Sequence, residues 1–170
     1  MVSYLARFRR LPTDRPVISL AIAILTVEIV GASGSVFTIQ SLDPWYETLQ
    51  QPLVAPPNWV FGPVWTTLFA LIGVALWLVW RQMEAAPRET RSALGIFAIH
   101  FVFNVGWSAV FFGLRELGWG LVVIGLLWVL IVTTMWAFDR VDRRASLLLV
   151  PYLLWVSFAV YLNYRFWVLN

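Results

Sequence analysis

Five apolar stretches, each long enough to cross a bilayer, constrain this chain more than any other feature. A helix needs about 20 residues to traverse the hydrocarbon core of a membrane. Val17 to Thr38, Trp59 to Trp80, Ser92 to Gly113, Leu117 to Phe138 and Ser146 to Val168 all meet that requirement. Backbone amides inside lipid have no water to bond, so each run must satisfy itself as a helix. The expected fold is all-α: an integral membrane bundle of five transmembrane helices, built as a single domain over residues 1–170. Composition agrees, since only 12% of residues are charged and 61% are hydrophobic, whereas a soluble domain carries roughly 25% charge.

Arginine placement sets the direction of the spans. The chain has no lysine, and Arg7, Arg9, Arg10 and Arg15 precede the first span. Arg81, Arg88 and Arg91 lie in the second connector, and Arg140, Arg143 and Arg144 in the fourth. Only Arg115 and Arg165 fall on the other side, a split of ten against two. By the positive-inside rule the amino terminus is inside, the carboxyl terminus outside, and the loop over residues 39–58 faces out. "MVSYLARFRRLPTDRP" before an apolar run has the look of a signal peptide, but a signal core spans only about 7–15 residues. An uncleaved first helix is expected. The absence of cysteine excludes disulfides and thiolate chemistry. A net charge of +3 without a basic groove gives no footing for nucleic acid.

The outward loop is unusual for a connector. It opens "LDPWYETLQQPLVAPPNWVFGPVW", rich in proline (Pro44, Pro52, Pro56, Pro57) and in large rings (Trp45, Trp59, Trp65). Prolines fix φ and limit how far the segment can move. Beneath it lie residues that a lipid-facing helix would not choose. Glu28 is mid-span, where a carboxylate costs about 2.5–3.5 kcal/mol, so it should face the bundle or be protonated. His100 and Asn104 are one turn apart, with Trp107 and Ser108 next on that side. Pro151, Trp155, Ala159 and Asn163 recur every four residues and share one face of the fifth span, and Pro151 should bend that helix beside Trp155.

Depth gathers some of these residues together. At a rise of 1.5 Å per residue, Trp65 lies roughly 9 Å and Asn104 roughly 12 Å below the outer surface, with Trp155 near the midplane. The loop then reads as a stiff aromatic lid over a cavity lined by tryptophan and asparagine, suited to a flat, largely apolar ligand. Plainer roles compete. Trp45, Trp59, Trp119 and Trp167 sit near span ends as interfacial anchors would. Trp65, Trp107, Trp128 and Trp155 could pack at depth, and Asn104 and Asn163 could bond neighbouring helices. Glu28 and His100 have similar depths and could pair. One histidine and no cysteine argue against a dedicated metal site. Gly31 and Ser35, four apart, allow close helix approach. No internal repeat stands out, which counts against an inverted-repeat transporter, and no acid–base or nucleophile–base pair marks a catalytic residue.

Three segments resemble the TspO/MBR family, the translocator and tryptophan-rich sensory proteins also known as peripheral benzodiazepine receptors. They are "WYETLQQPLVAPPNWVFGPVWTTLF" from Trp45, "FNVGWSAVFFGLRELGWGL" from Phe103 and "PYLLWVSFAVYLNYRFWVLN" from Pro151. Their order and spacing fit as well, and "WTTLF", "VFFG" and "TMWAF" resemble alphaproteobacterial members. The resemblance implies a five-helix bundle, often homodimeric, that binds porphyrins such as protoporphyrin IX or heme-like rings as ligand rather than cofactor. It also implies isoquinoline carboxamide and benzodiazepine ligands and, in some members, sterol. Carried over by motif, the ligand site would use Tyr46, Trp65, Asn104, Trp155 and Ala159. Trp65 and Trp155 resemble tryptophans linked to light-dependent porphyrin breakdown, and Val156, Tyr161 and Arg165 fit the loose sterol pattern. The functions implied are porphyrin sensing first, with photo-oxidative degradation or porphyrin and lipid transport as alternatives.

Overall fold

Each predicted span is a helix of membrane-crossing length in the computed structural model, which describes residues 9–41 and 45–170. Arg7 and Pro44, used above for topology and for the lid, lie outside the described residues. The helices are α1 (Pro16–Thr38), α2 (Asn58–Met83), α3 (Pro87–Gly113), α4 (Leu117–Asp139) and α5 (Arg143–Leu169). Most run a few residues past the expected ends. Pro16 and Pro87 open α1 and α3, positions where a missing amide proton costs nothing and a preset φ helps.

Three of the five helices are interrupted, all in ways that shape the interior. The regular part of α1 ends at Ala32 and resumes at Ser35 after a turn at Ser33 and Gly34. α3 ends in a π-helical turn over Ala109–Gly113, where Leu114 N–H reaches Ala109 O at 2.8 Å. Such wide turns recur at functional sites because they displace side chains from the helical register. α5 is split into Arg143–Leu148 and Val150–Leu169 at Leu149, with Pro151 in the first turn of the second piece. The expected proline bend is therefore present, as a break between two helical segments.

Packing divides the bundle into two groups. α1 lies along α2, while α4 packs against both α3 and α5. The backbones approach closely at Gly73 of α2, where an added Cβ would stand 2.6 Å from Ile24 Cα. Small residues allow this in a membrane, where helix association rests on van der Waals contact rather than on expulsion of water. The groups meet at both ends: Arg143–Leu148 of α5 packs on α2 at one, and Ser35–Ser41 at the end of α1 packs on the π-helical turn Ala109–Gly113 of α3 at the other. Val79, Phe138, Leu149 and Tyr152 are fully buried in a core that also holds Ile72, Ile124, Ile131 and Val156. Toward the outer side α2 and α5 diverge, and a space opens between them.

Candidate functional site

That space is a cavity of about 390 Å³ bounded by α1, α2, α3 and α5 in the outer half of the bundle. Ligand pockets span about 300–1,000 Å³, so this one is at the lower end. Tyr46, Trp65, Asn104, Trp155 and Ala159, the five positions expected from sequence, all line it.

Each lining side chain is held by contacts that local sequence explains. Trp65, in the second turn of α2, lies 5.2 Å from the Phe69 ring one turn on and 6.3 Å from Tyr152 across the bundle. Trp155 stands edge-on to Phe61 at 5.9 Å, so α2 and α5 touch there through rings. Ala159, one turn beyond Trp155, keeps the wall open where a larger residue would fill it. The Asn104 amide donates to Tyr152 Oη at 2.8 Å, both groups being buried. That bond uses the phenol oxygen as acceptor and leaves the Asn104 carbonyl oxygen as a candidate acceptor on the cavity wall. Asn163, also lining, is more fully committed: it accepts from Trp107 Nε1 at 3.1 Å and donates to Leu117 O at 2.8 Å. Its role is to join α3, α4 and α5.

The outer segment is tied down over the cavity. Tyr46 is buried against Phe166 at 5.3 Å and Phe112 at 5.9 Å, and burial pushes its phenol up to about 12. It is a neutral hydroxyl at any physiological pH. Gln51 donates to Tyr46 O at 3.0 Å, Gln50 N–H donates to Asn170 Oδ1 at 2.8 Å, and Pro52 is buried. The segment is thus pinned to the last residue of the chain. Trp45 is half-buried 6.0 Å from Phe111, with the Arg115 guanidinium 5.9 Å over its ring. It packs on the π-helical turn of α3 instead of standing free as an interfacial anchor.

Other expectations from sequence are met or corrected. Trp59, Trp119 and Trp167 are exposed at 75%, 66% and 52%, as anchors in a membrane interface would be. Trp128, placed at depth with the cavity tryptophans, faces outward and donates to Ser157 Oγ at 2.8 Å. Glu28 and His100 do not pair. His100 is fully buried among Phe97, Phe101 and Tyr152, with Nδ1 3.3 Å from Thr134 Oγ1. Since the Thr134 hydroxyl donates to Leu130 O at 2.8 Å, the proton in that contact belongs to His100 Nδ1. Glu28 lines the cavity instead. Gly31 is used inside the monomer, because an added Cβ would meet the Phe69 ring at 2.5 Å. Tyr161 and Arg165 lie one turn apart, Tyr161 exposed, whereas Val156 is buried in the core. Among the described residues no group of His, Asp and Glu could hold a metal ion.

Sequence reasoning missed the contribution of α1. Gly31, Ala32, Ser35 and Thr38 line the cavity together with Glu28, and so do Trp107, Phe111 and Phe112 around the π-helical turn. Gly31 and Ser35 are the available signal, and their four-residue spacing reads equally as a site of close helix approach.

The TspO/MBR family profile matches residues 23–168, which span all five helices. The chain belongs to the TspO/MBR family. It is a multi-pass membrane protein of that family. It is 46% identical over 161 residues to the tryptophan-rich protein TspO of Chlorobaculum tepidum, covering 92% of this chain and 99% of that one. Identity to the tryptophan-rich sensory protein of Cereibacter sphaeroides is 36% over 140 residues, covering 82% and 85%. The human translocator protein is 38% identical over 123 residues, covering 72% and 73%. The matched region includes Tyr46, Trp65, Asn104, Trp155 and Ala159.

Proposed function

We propose that this chain is a membrane sensor that captures a planar tetrapyrrole, of the protoporphyrin type, in the cavity beneath residues 45–58. One observation carries the reading: Tyr46, Trp65, Asn104, Trp155 and Ala159, from four separate parts of the chain, converge on one largely aromatic cavity. Flat rings gain from stacking and edge contacts with Trp65, Trp155 and Phe61, and the Asn104 carbonyl supplies a polar edge. Isoquinoline carboxamide and benzodiazepine ligands, flat and mostly apolar, suit the same surface. A homodimer with the amino terminus inside completes the proposal; mass measurement in mild detergent that finds only monomer at every concentration would remove the dimer.

A second reading has its own support. Trp65 and Trp155 both line the cavity, so a bound porphyrin excited by light would have two oxidisable indoles within reach. Incubating purified protein with protoporphyrin in darkness and in light, while following absorbance, fluorescence and products, separates the readings. Saturable quenching without turnover supports a sensor. Light-dependent product supports a degrading enzyme, and ligand flux in liposomes supports a transporter. Absence of saturable binding in either condition would sink the proposal.

A further inference from the structure

Glu28 is an acidic group on the cavity wall, and among the described residues no cation pairs with it. It lies ten residues before the outer end of α1, roughly 15 Å deep at the helical rise. Among the described residues it makes no hydrogen bond and no ion pair. No arginine or histidine lines the cavity with it, and His100 is occupied by Thr134 on the far side of Tyr152. The rest of the wall is aromatic rings, small residues, hydroxyls and amides. Toward the mouth, α1 presents Gly31, Ala32 and Ser35, one and two turns beyond Glu28. None of these is large enough to cover the carboxyl, so a ligand entering past Tyr46 can reach it.

An intramembrane carboxylate without a partner is costly to retain and marks a pathway or a binding group. A basic group entering the cavity would meet Glu28 as a carboxylate and pair with it, whereas an acidic group would gain no such pair. We propose that Glu28 orients the ligand, receiving a basic nitrogen or N–H edge of a flat aromatic molecule and keeping acidic end groups toward the mouth. On the outer side those acidic groups meet water and Arg115, which is held over the Trp45 ring. This inference rests on the cavity being the ligand site and adds the charge preference at its inner end.

The test uses the full-length protein in nanodiscs of zwitterionic lipid, so that the membrane itself attracts no charged probe. Three probes share one macrocycle: protoporphyrin IX with two carboxylates, its neutral dimethyl ester, and a diamide bearing terminal amines. Affinities come from fluorescence titration of wild type, Glu28→Gln and Glu28→Met, the second variant guarding against a folding defect in the first. Wild type should bind the amine-bearing probe tightest. Both variants should lose that preference by about tenfold or more, the usual consequence of removing one partner of a desolvated charge pair, with the dimethyl ester little changed. If all three proteins rank the probes alike, Glu28 does not select charge and the inference falls while the cavity reading stands. If no probe binds saturably to wild type, both fall.

Discussion

One side-chain type does three different jobs in this protein, and location alone decides which. Trp65, Trp107 and Trp155 line the cavity; Trp59, Trp119 and Trp167 project outward near span ends; Trp128 faces out at mid-helix with its N–H satisfied by Ser157. Depth, counted along the sequence, separated Trp59, Trp119 and Trp167 from the deep rings, because rise per residue is fixed, but it grouped Trp45 with the anchors although that ring packs on Phe111. It could not separate Trp128 from Trp155, since depth says nothing about which face points inward. The four-residue spacing of Trp155, Ala159 and Asn163 supplied that face for α5, and no comparable pattern of large residues did so for α1. Polar residues were legible as present and ambiguous as to partner: Asn104 meets Tyr152, and His100 meets Thr134 rather than Glu28. The Asn104–Tyr152 bond should be measurable. Tyr152→Phe keeps the rings packed but leaves the buried amide N–H without its acceptor, and should cost about 1–3 kcal/mol. Thermal unfolding in detergent should show a lower midpoint than wild type; an unchanged midpoint would mean that the bond adds nothing.

The elements were the most legible level, because about 20 apolar residues can do little in lipid other than form a helix. Interruptions were harder to foresee. Pro151 announced the break in α5, since proline removes a donor and crowds the preceding turn. The turn at Ser33 and Gly34 and the π-helical turn at Ala109–Gly113 have no proline and passed as uninterrupted helix. Two substitutions probe the elements. Gly73→Ala places a Cβ 2.6 Å from the Ile24 backbone, forcing α1 from α2, and should destabilise by about 1–3 kcal/mol as overpacking does; Gly62→Ala, with open space at its Cβ, serves as the comparison. Equal melting of the two variants would contradict the close packing. At the inner end of α5, Asp142 accepts the Arg144 N–H at 3.0 Å and pairs with its guanidinium at 2.8 Å. The Arg144 side-chain hydrogen bond holds the Asp142 carboxyl below the ordinary carboxylate range. A group lowered on folding contributes its stability fully above its unfolded value and loses it as pH falls through the lowered one. Asp142→Ala should cost about 0.5–2 kcal/mol, as loss of a helix N-cap does, and this difference should shrink in acid. A gap from wild type that is constant between neutral and acid pH would contradict the assignment.

At the scale of the whole molecule, two tightly packed helix groups, joined at one end by Arg143–Leu148 against α2 and at the other by Ser35–Ser41 against Ala109–Gly113, leave a cavity between α2 and α5 that the pinned segment 45–58 covers. Helix number and order followed from hydropathy, but the divergence of α2 from α5 is a property of packing that no single stretch of sequence encodes. The direction of insertion proposed from the arginine split is tested by reporter fusions at Asp43 and Ala86, which should report opposite sides of the membrane; the same side from both would contradict it. The central claim is that flat ligands are bound by the cavity rings and not by exposed tryptophan. Titrating protoporphyrin fluorescence against folded wild type, Trp155→Phe, Trp65→Phe and Trp167→Phe tests it most directly. Each substitution keeps an aromatic ring and removes an indole, so only position differs. On a stacking scale of about 1–3 kcal/mol per ring, a partial loss at Trp155 or Trp65 should weaken binding roughly three- to tenfold. Trp167→Phe should leave the affinity nearly unchanged. Weakening at Trp167 equal to that at Trp155 would contradict the account.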